Sequence, residues 1–200
     1  DGRIIFAPTN HLLVTPFSTR LKFEKFIDQE IANAKEGKTA YMILKMNSLE
    51  DTGMVKKLYD ASQAGVKIRG IVRGMCSLIP GVTGQSENIE IISIVDRFLE
   101  HPRAMVFEHG GDKKVFISSA DWMTRNMDNR IEVGCPIYDP VLIKRIEDTF
   151  ELQFKDTLKA RVIDDKQQNQ YVRRGNRKKL RSQTEIYKYL KKLEEQYDAG

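Results

Sequence analysis

The alternation of short apolar runs with helical patterns is the feature that most constrains the fold of this chain. Residues 39–46 and 66–72 form apolar runs of strand length, and a helical pattern over residues 49–64 lies between them. Another helical pattern starts near Ser18, before the first run, and ends near Gly37. Because strands that alternate with helices are typical of sheets with covered faces, this order predicts an α/β domain with a parallel core.

The remainder of the chain predicts further strands and a closing helix. Residues 103–108 and 114–118 flank a Gly110-Gly111 turn and predict a β-hairpin. Asp139 followed by Pro140 is a strong helix start. The other expected elements are short strands at residues 11–15, 89–95 and 130–137, a helix to about residue 154, an irregular segment over residues 160–179 and a helix over residues 183–197.

Together these patterns predict a mixed, largely parallel sheet flanked by helices, with a helical tail at the C-terminus. We assign residues 1–160 to the α/β domain, and residues 161–200 to a basic segment and a helix packed on the same domain. The chain has no initiator Met and begins in strand-like sequence, so we expect it to be part of a longer protein. No apolar run reaches the ~18 residues of a membrane-spanning helix.

The charge of the chain points to an anionic partner. The formal net charge is +5, and six basic residues without an acid lie within residues 172–181. Such an excess suits nucleic acid, acidic lipid, a nucleotide or another polyanion, and composition does not choose among them. A merely solvated basic surface is the other interpretation of such a run.

Two short motifs are better explained by structure than by chemistry. Residues 32–39 resemble a P-loop, but they close a helix and open a strand, which is the reverse of the order that holds phosphate. Cys76 and Cys135 lack CxxC spacing and lie in apolar sequence. We therefore expect buried free thiols of a reducing compartment and no zinc site.

His101 is the residue that most suggests chemistry. It lies just before a predicted strand, and loops at strand ends are where α/β folds hold ligands. Arg103 is two residues further and can form a fork on a phosphate, while Ser118 and Ser119 can hydrogen-bond an oxyanion. A histidine beside a proline is nevertheless more often structural than catalytic.

Several long strings in the chain match one known family. They are V-R-G-M-C-S-L-I-P-G at residues 72–81, S-E-N-I at 86–89, R-F-L-E-H at 97–101, G-G-D-K-K-V-F-I-S-S-A-D-W-M-T-R-N at 110–126, R-I-E-V at 130–133 and Y-V-R-R-G-N-R-K-K-L-R at 171–181. On these strings the chain resembles the C-terminal part of bacterial polyphosphate kinases over nearly its whole length.

The resemblance implies a phospholipase D-like domain, the second of two α/β domains that share one site. Arg103 stands where the phospholipase D pattern has Lys, and residues 118–121 stand where it has Gly-Ser-x-Asn. These departures favour phosphotransfer over phosphodiester hydrolysis.

The implied activity is reversible transfer of the ATP γ-phosphate to inorganic polyphosphate through a phosphohistidine that lies outside this chain. The implied cofactor is Mg²⁺, bound with the nucleotide and without ligands in this chain. The implied partners are ATP or ADP, polyphosphate, upstream domains of the same polypeptide and further copies in a homo-oligomer, with no nucleic acid. The resemblance also implies a cytoplasmic enzyme, or one peripheral to the inner membrane face, and a fragment inactive by itself.

The resemblance also implies roles for individual residues. His101 matches the second essential histidine of the family, and Arg73 matches a nucleotide-binding arginine. Residues with less support are Arg103, Ser118 and Ser119 as phosphate contacts, and Arg173, Arg174 and Arg177 as the lining of a polyphosphate path. By its chemistry Glu132 can orient a histidine across the domain pair, or it can pair with Arg130 or a neighbouring Lys.

Two other functions stay open at this point. The chain can be a basic module that binds nucleic acid or another polyanion without catalysis, although no aromatic residues are interleaved with the basic run. It can also be a phosphodiesterase of the phospholipase D type, against which the missing Lys argues.

Overall fold

The computed structural model describes residues 9–198, so the strand-like sequence at the start of the chain lies outside the described residues. The helices are α1 Thr19–Lys35, α2 Thr52–Gln63, α3 Pro140–Phe154 and α4 Ser182–Asp198. The strands are β1 Leu13–Val14, β2 Tyr41–Met46, β3 Lys67–Val72, β4 Ile89–Ile94, β5 Arg103–Phe107, β6 Lys114–Ser118, β7 Val133–Ile137 and β8 Ala160–Ile163.

Within residues 9–198 the strands form one mixed sheet in the order β1-β7-β6-β5-β2-β3-β4-β8. The prediction of a mixed sheet flanked by helices is confirmed, but the prediction that it is largely parallel is wrong. Only the pairings β2–β3 and β3–β4 are parallel among the described strands, and the other pairings are antiparallel. The short turn between β5 and β6 permits only antiparallel pairing, and β5 inserts beside β2 in the opposite direction.

Helices cover both faces of the sheet because side chains alternate along each strand. Met42 and Leu44 of β2 pack with α1 and α2 in one core, together with Phe23 and Leu58. Ile43 lies on the other face and packs in a second core with Phe150 and other residues of α3. Helix α4 lies against α3.

The ends of α1 and α3 agree with the predicted start and stop signals. Gly37 adopts a φ of 72°, which favours glycine and ends α1. The P-loop-like residues therefore close a helix, as the sequence indicates, and Lys38 pairs with Glu36 in solvent. At α3 the carboxylate of Asp139 accepts hydrogen bonds from the backbone N–H groups of Val141 and Leu142.

Two local predictions are wrong. Residues 160–163 are not irregular but form β8, in which Ala160 pairs with Ile94. The charged Arg161 interrupts this short run, so it gives only a weak strand signal. Cys135 is exposed, because alternation along β7 turns it away from the core, while Cys76 is half-buried. The division of the chain after residue 160 stays a prediction, although β8 continues the sheet across it.

No helix among the described residues is long and apolar enough to cross a membrane.

Candidate functional site

The predicted site residues converge on one edge of the sheet. Arg73 follows the last residue of β3, and Arg103 is the first residue of β5. Because β5 runs antiparallel to β2, its start lies beside the carboxyl ends of β2 and β3. This edge is where α/β sheets hold ligands.

Arg103 forms a fork with a carboxylate at this edge. Its Nε and Nη2 atoms donate to the two carboxylate oxygens of Asp121, each at 3.0 Å. Asp121 also accepts from the backbone N–H groups of Asn47 and Ser48, at 2.8 and 3.2 Å. Burial acts to raise the pKa of the Asp121 carboxyl, but these hydrogen bonds outweigh it and hold the pKa below its ordinary value.

His101 lies against Arg103. The Nη1 atom of Arg103 is 3.2 Å from Nδ1 of the imidazole, and Nη2 is 3.5 Å from Nε2. His101 is exposed, whereas the Arg103 side chain is only 12% exposed. The imidazole is therefore accessible from solvent and backed by a fixed cation.

Arg73 reaches the same loop from β3. Its Nε donates to the backbone carbonyl of Glu100 at 2.5 Å, which places Arg73 next to the residue that precedes His101. The side chain is half-buried. Two of the predicted contacts, Arg73 and His101, are thus brought together through Glu100.

The carboxylate of Glu100 ties this loop to three other elements. It pairs with Lys45 of β2, and it accepts hydrogen bonds from Gln153 of α3 and Gln183 of α4. Burial lowers the pKa of the Lys45 ammonium below its ordinary value, and the charge of Glu100 opposes that shift. Gln183 also bonds both backbone polar groups of Phe98, so the first turn of α4 holds the loop.

The two candidate serines are occupied by contacts within the chain. The Ser118 hydroxyl donates to the backbone carbonyl of Val133 and accepts from the N–H of Ala120. The Ser119 hydroxyl donates to the carboxylate of Glu132 at 2.5 Å. The predicted phosphate contacts of Ser118 and Ser119 stay predictions, and they would have to displace or share these hydrogen bonds.

Among the described residues, Glu132 does not form the pairing with a basic residue that the sequence suggested, and its role towards a histidine of the other domain stays a prediction. Besides Ser119, its carboxylate accepts from Nδ2 of Asn126 at 2.7 Å. The predicted pairing with Arg130 or a neighbouring Lys is not what the described residues form. Glu132 instead joins the loop after β6 to the start of β7.

The basic segment, residues 172–181, starts beside β8, where the N–H of Val172 donates to the carbonyl of Ala160. An ion pair anchors its other end. Arg181 forms a fork with Asp96 at 2.7 and 2.6 Å, directly after β4. Arg173, Arg174 and Arg177 are exposed, and no carboxylate of residues 9–197 forms an ion pair with them. Their role in a polyphosphate path stays a prediction.

Sequence reasoning missed the polar network around Glu100. Lys45 is a charged residue in the middle of an apolar strand, and a buried cation needs a partner. That single anomaly in residues 41–46 was the available signal. Gln153 and Gln183 lie on helices where glutamine is ordinary, so the sequence offered no signal for them.

The described residues form no metal centre, and a cavity among them lies away from this edge. Among residues 9–197, no group of three or more His, Cys, Asp or Glu side chains could hold a metal ion. A cavity of about 840 Å³ lies at the other end of β6 and β7, between α1 and the start of α3. Its lining among the described residues includes none of the predicted site residues.

Comparisons with known proteins identify the family of this chain. Residues 12–183 match the family model described as polyphosphate kinase C-terminal domain 2. The chain is 60% identical over 187 residues to the polyphosphate kinase of Vibrio cholerae, which covers 94% of this chain and 27% of that protein. It is 53% identical over 186 residues to the Escherichia coli polyphosphate kinase, covering 93% of this chain and 27% of that protein.

Solved structures give the same result for the fold. The crystal structure of polyphosphate kinase from Porphyromonas gingivalis superposes with a TM-score of 0.92 at 45% identity, over 98% of this chain and 30% of that chain. Nuc from Salmonella typhimurium, a phospholipase D family member, gives a TM-score of 0.57 at 14% identity, over 77% of this chain and 97% of that chain. The second likeness shows the fold alone and confirms the phospholipase D-like architecture.

The chain spans 27% of the length of the two curated relatives named above. The family model nevertheless covers most of the chain, and the resemblance found in the sequence motifs is confirmed. The chain belongs to the polyphosphate kinase C-terminal domain family.

Proposed function

We propose that the longer protein containing this chain is a polyphosphate kinase, which reversibly transfers the γ-phosphate of ATP to inorganic polyphosphate. In this proposal the chain handles the nucleotide, and the phosphorylated histidine lies in an upstream domain. The observation that carries the proposal is the convergence of Arg73 and His101 on one strand edge, joined through Glu100.

The chemistry of phosphoryl transfer suits these side chains. Negative charge spreads over the phosphoryl oxygens in the transition state, so catalysis consists mainly of positioning and electrostatic stabilisation. The guanidinium of Arg73 can clamp a phosphate, since only its Nε is engaged by Glu100. The exposed imidazole of His101 can hydrogen-bond the transferring group or give a proton to the leaving ADP oxygen.

Mg²⁺ belongs to the proposal as a companion of the nucleotide. In this proposal the nucleotide phosphates and the rest of the protein hold the ion, without ligands from this chain. When bound, Mg²⁺ would neutralise phosphate charge. Polyphosphate would leave along Arg173, Arg174 and Arg177, and we propose a homo-oligomeric enzyme in the cytoplasm or at the inner membrane face.

The test is phosphate transfer by the intact protein with and without His101. We expect His101→Ala to lower transfer from γ-labelled ATP to polyphosphate by about 10²–10⁴-fold, the usual contribution of a proton-transfer or hydrogen-bonding group. His11→Ala is the matched control, because that imidazole bonds only Tyr138 among the described residues and lies at the other end of β7. Activity of His101→Ala within severalfold of wild type would overturn the assignment.

The same protein preparation separates the proposal from a binding module. A module that only holds polyanions would bind nucleic acid with a steep salt dependence and would tolerate the loss of His101. Tight binding of RNA at physiological salt, without binding of polyphosphate and without transfer, would favour that alternative.

A further inference from the structure

We infer that Asp121 is a positioning residue, which orients His101 through Arg103, and that Arg103 supports the imidazole instead of binding phosphate. The inference rests on the proposed function and deepens it, because it concerns how His101 is presented at that site. It also revises the phosphate contact that the sequence suggested for Arg103.

The first step is the fixed position of the Asp121 carboxylate. The residue is 7% exposed, and its Oδ1 accepts from the backbone N–H groups of Asn47 and Ser48, at 2.8 and 3.2 Å. The Asn47 side chain adds a bond from Nδ2 to Oδ2 at 3.3 Å. Backbone donors just past the end of β2 therefore hold the carboxylate, and it cannot follow a moving arginine.

The second step is that this carboxylate takes up one side of the Arg103 guanidinium. Nε and Nη2 both point to Asp121, each at 3.0 Å, in the parallel geometry that gives the strongest arginine–carboxylate pairs. Nη1 points instead to His101, 3.2 Å from Nδ1 and 3.4 Å from the backbone carbonyl. The fork that would bind a phosphate is thus already occupied.

The third step concerns the imidazole. A guanidinium has donors only, so a ring nitrogen that bonds Arg103 must offer a lone pair. The contact to Nδ1, at 3.2 Å, is within ordinary hydrogen-bond length, whereas the 3.5 Å approach of Nη2 to Nε2 is longer than an ordinary hydrogen bond. The neutral ring that accepts at Nδ1 carries its proton on Nε2. Presented in this way, His101 acts as a hydrogen-bond donor to a phosphoryl oxygen.

The experiment compares the same substitution at two buried aspartates of the intact protein, each of which pairs with an arginine through two hydrogen bonds. Asp121→Asn keeps the shape of the side chain but sets an amide donor against the donors of Arg103, which breaks the fork. Asp51→Asn makes the same change in the pair between Asp51 and Arg20, which has bonds of 2.8 and 2.7 Å and a backbone donor at Met54. Among the described residues, neither Asp51 nor Arg20 bonds His101.

The kinetic readout separates positioning from phosphate binding. We expect Asp121→Asn and Arg103→Met each to lower kcat by about 10²-fold, the cost of misplacing a reacting group by about 1 Å, and to leave the KM for ATP nearly unchanged. If Arg103 binds phosphate, Arg103→Met will mainly raise the KM, and the inference is wrong. Asp51→Asn should lower stability and keep the wild-type kcat.

A second readout does not depend on activity. Diethyl pyrocarbonate modifies the unprotonated nitrogen of exposed imidazoles, and mass spectrometry reports the rate at each histidine. We expect slow modification of His101 in the wild type, a severalfold faster rate in Asp121→Asn and Arg103→Met, and no change in Asp51→Asn. The rate at His11 is the internal reference.

The two readouts distinguish a failure of the positioning inference from a failure of the proposed function. If the wild-type protein transfers no phosphate but Asp121→Asn still speeds the modification of His101, the proposed function fails and the positioning stands. If transfer is normal and Asp121→Asn changes neither kcat nor the modification rate, the positioning inference fails and the proposed function stands.

Discussion

Substitution of Gly74 by Ala tests whether the loop after β3 and the loop after β2 hold the site in place. A Cβ atom at this position would lie 2.8 Å from the backbone carbonyl oxygen of Asn47 and 3.1 Å from Oγ of Ser48. The Gly74 N–H donates to the same carbonyl at 2.7 Å, so the two loops already touch. Gly74→Ala must therefore push these loops apart.

The size of the effect follows from these distances. Carbon–oxygen contacts in proteins are rarely shorter than about 3.3 Å, so one loop must move by roughly 0.5 Å. Overpacking of this kind costs about 1–3 kcal/mol in the free energy of unfolding. Asn47 and Ser48 hold Asp121, and we therefore also expect kcat to fall by about tenfold, since a 1 Å displacement costs about 10²-fold.

The assay pairs urea unfolding with phosphate transfer by the intact protein, and Gly70→Ala is the matched control. A Cβ at Gly70, within β3 itself, would first meet the Ile91 side chain, at 3.1 Å from Cγ1. A flexible side chain can yield, so Gly70→Ala should change stability without changing kcat. If Gly74→Ala keeps the wild-type kcat, or if Gly70→Ala loses as much activity, the loops do not position the site as argued.

Two further predictions concern stability. Hydrogen bonds from Arg20 hold the pKa of Asp51 at about 2, below its ordinary 3.8. The pair therefore stabilises the fold above about pH 4, and that contribution is lost as the pH falls towards 2. We expect it to contribute about 1–2 kcal/mol to the free energy of unfolding, because water partly screens Arg20. Urea unfolding of wild type and Asp51→Asn at several pH values should give two curves that converge in acid, and a constant gap would refute the cause. Phe23→Ala should lower the free energy of unfolding by about 3–5 kcal/mol, because Phe23 is fully buried among three aromatic rings. Urea unfolding measures this loss, and substitution of the exposed Leu21 by Ala is the control. A loss below about 1 kcal/mol would contradict the packing.

Local patterns in the sequence predicted most elements but not the way in which the strands pair. The apolar run that became β2 and the Asp139-Pro140 start of α3 carry their own signals in a few adjacent residues. Strand order depends instead on contacts between distant residues. The insertion of β5 beside β2 in the opposite direction leaves no trace in either strand, and for this reason the local patterns predict a largely parallel sheet.

The site shows the same division between local and distant information. Arg73 follows a strand signal and His101 precedes one, so each could be placed at a strand end from the sequence. Their meeting at one edge depends on the antiparallel direction of β5, which the sequence did not indicate. The fork between Arg103 and Asp121 joins residues eighteen apart across two strands, and its geometry had to come from the structure. The same holds for the engagement of Ser119 by Glu132, which no spacing rule anticipates.

The pairing of β1 with β7 has a consequence for folding during synthesis. Leu13 lies opposite Gly134, so the first described strand can pair with its neighbour only after Gly134 has left the ribosome. The unit from β2 to β4, by contrast, is made of contacts close in sequence and can form early. Pulse-labelled hydrogen exchange should therefore find the amides of β3 protected before those of β1, and the sheet grows outward from its parallel centre.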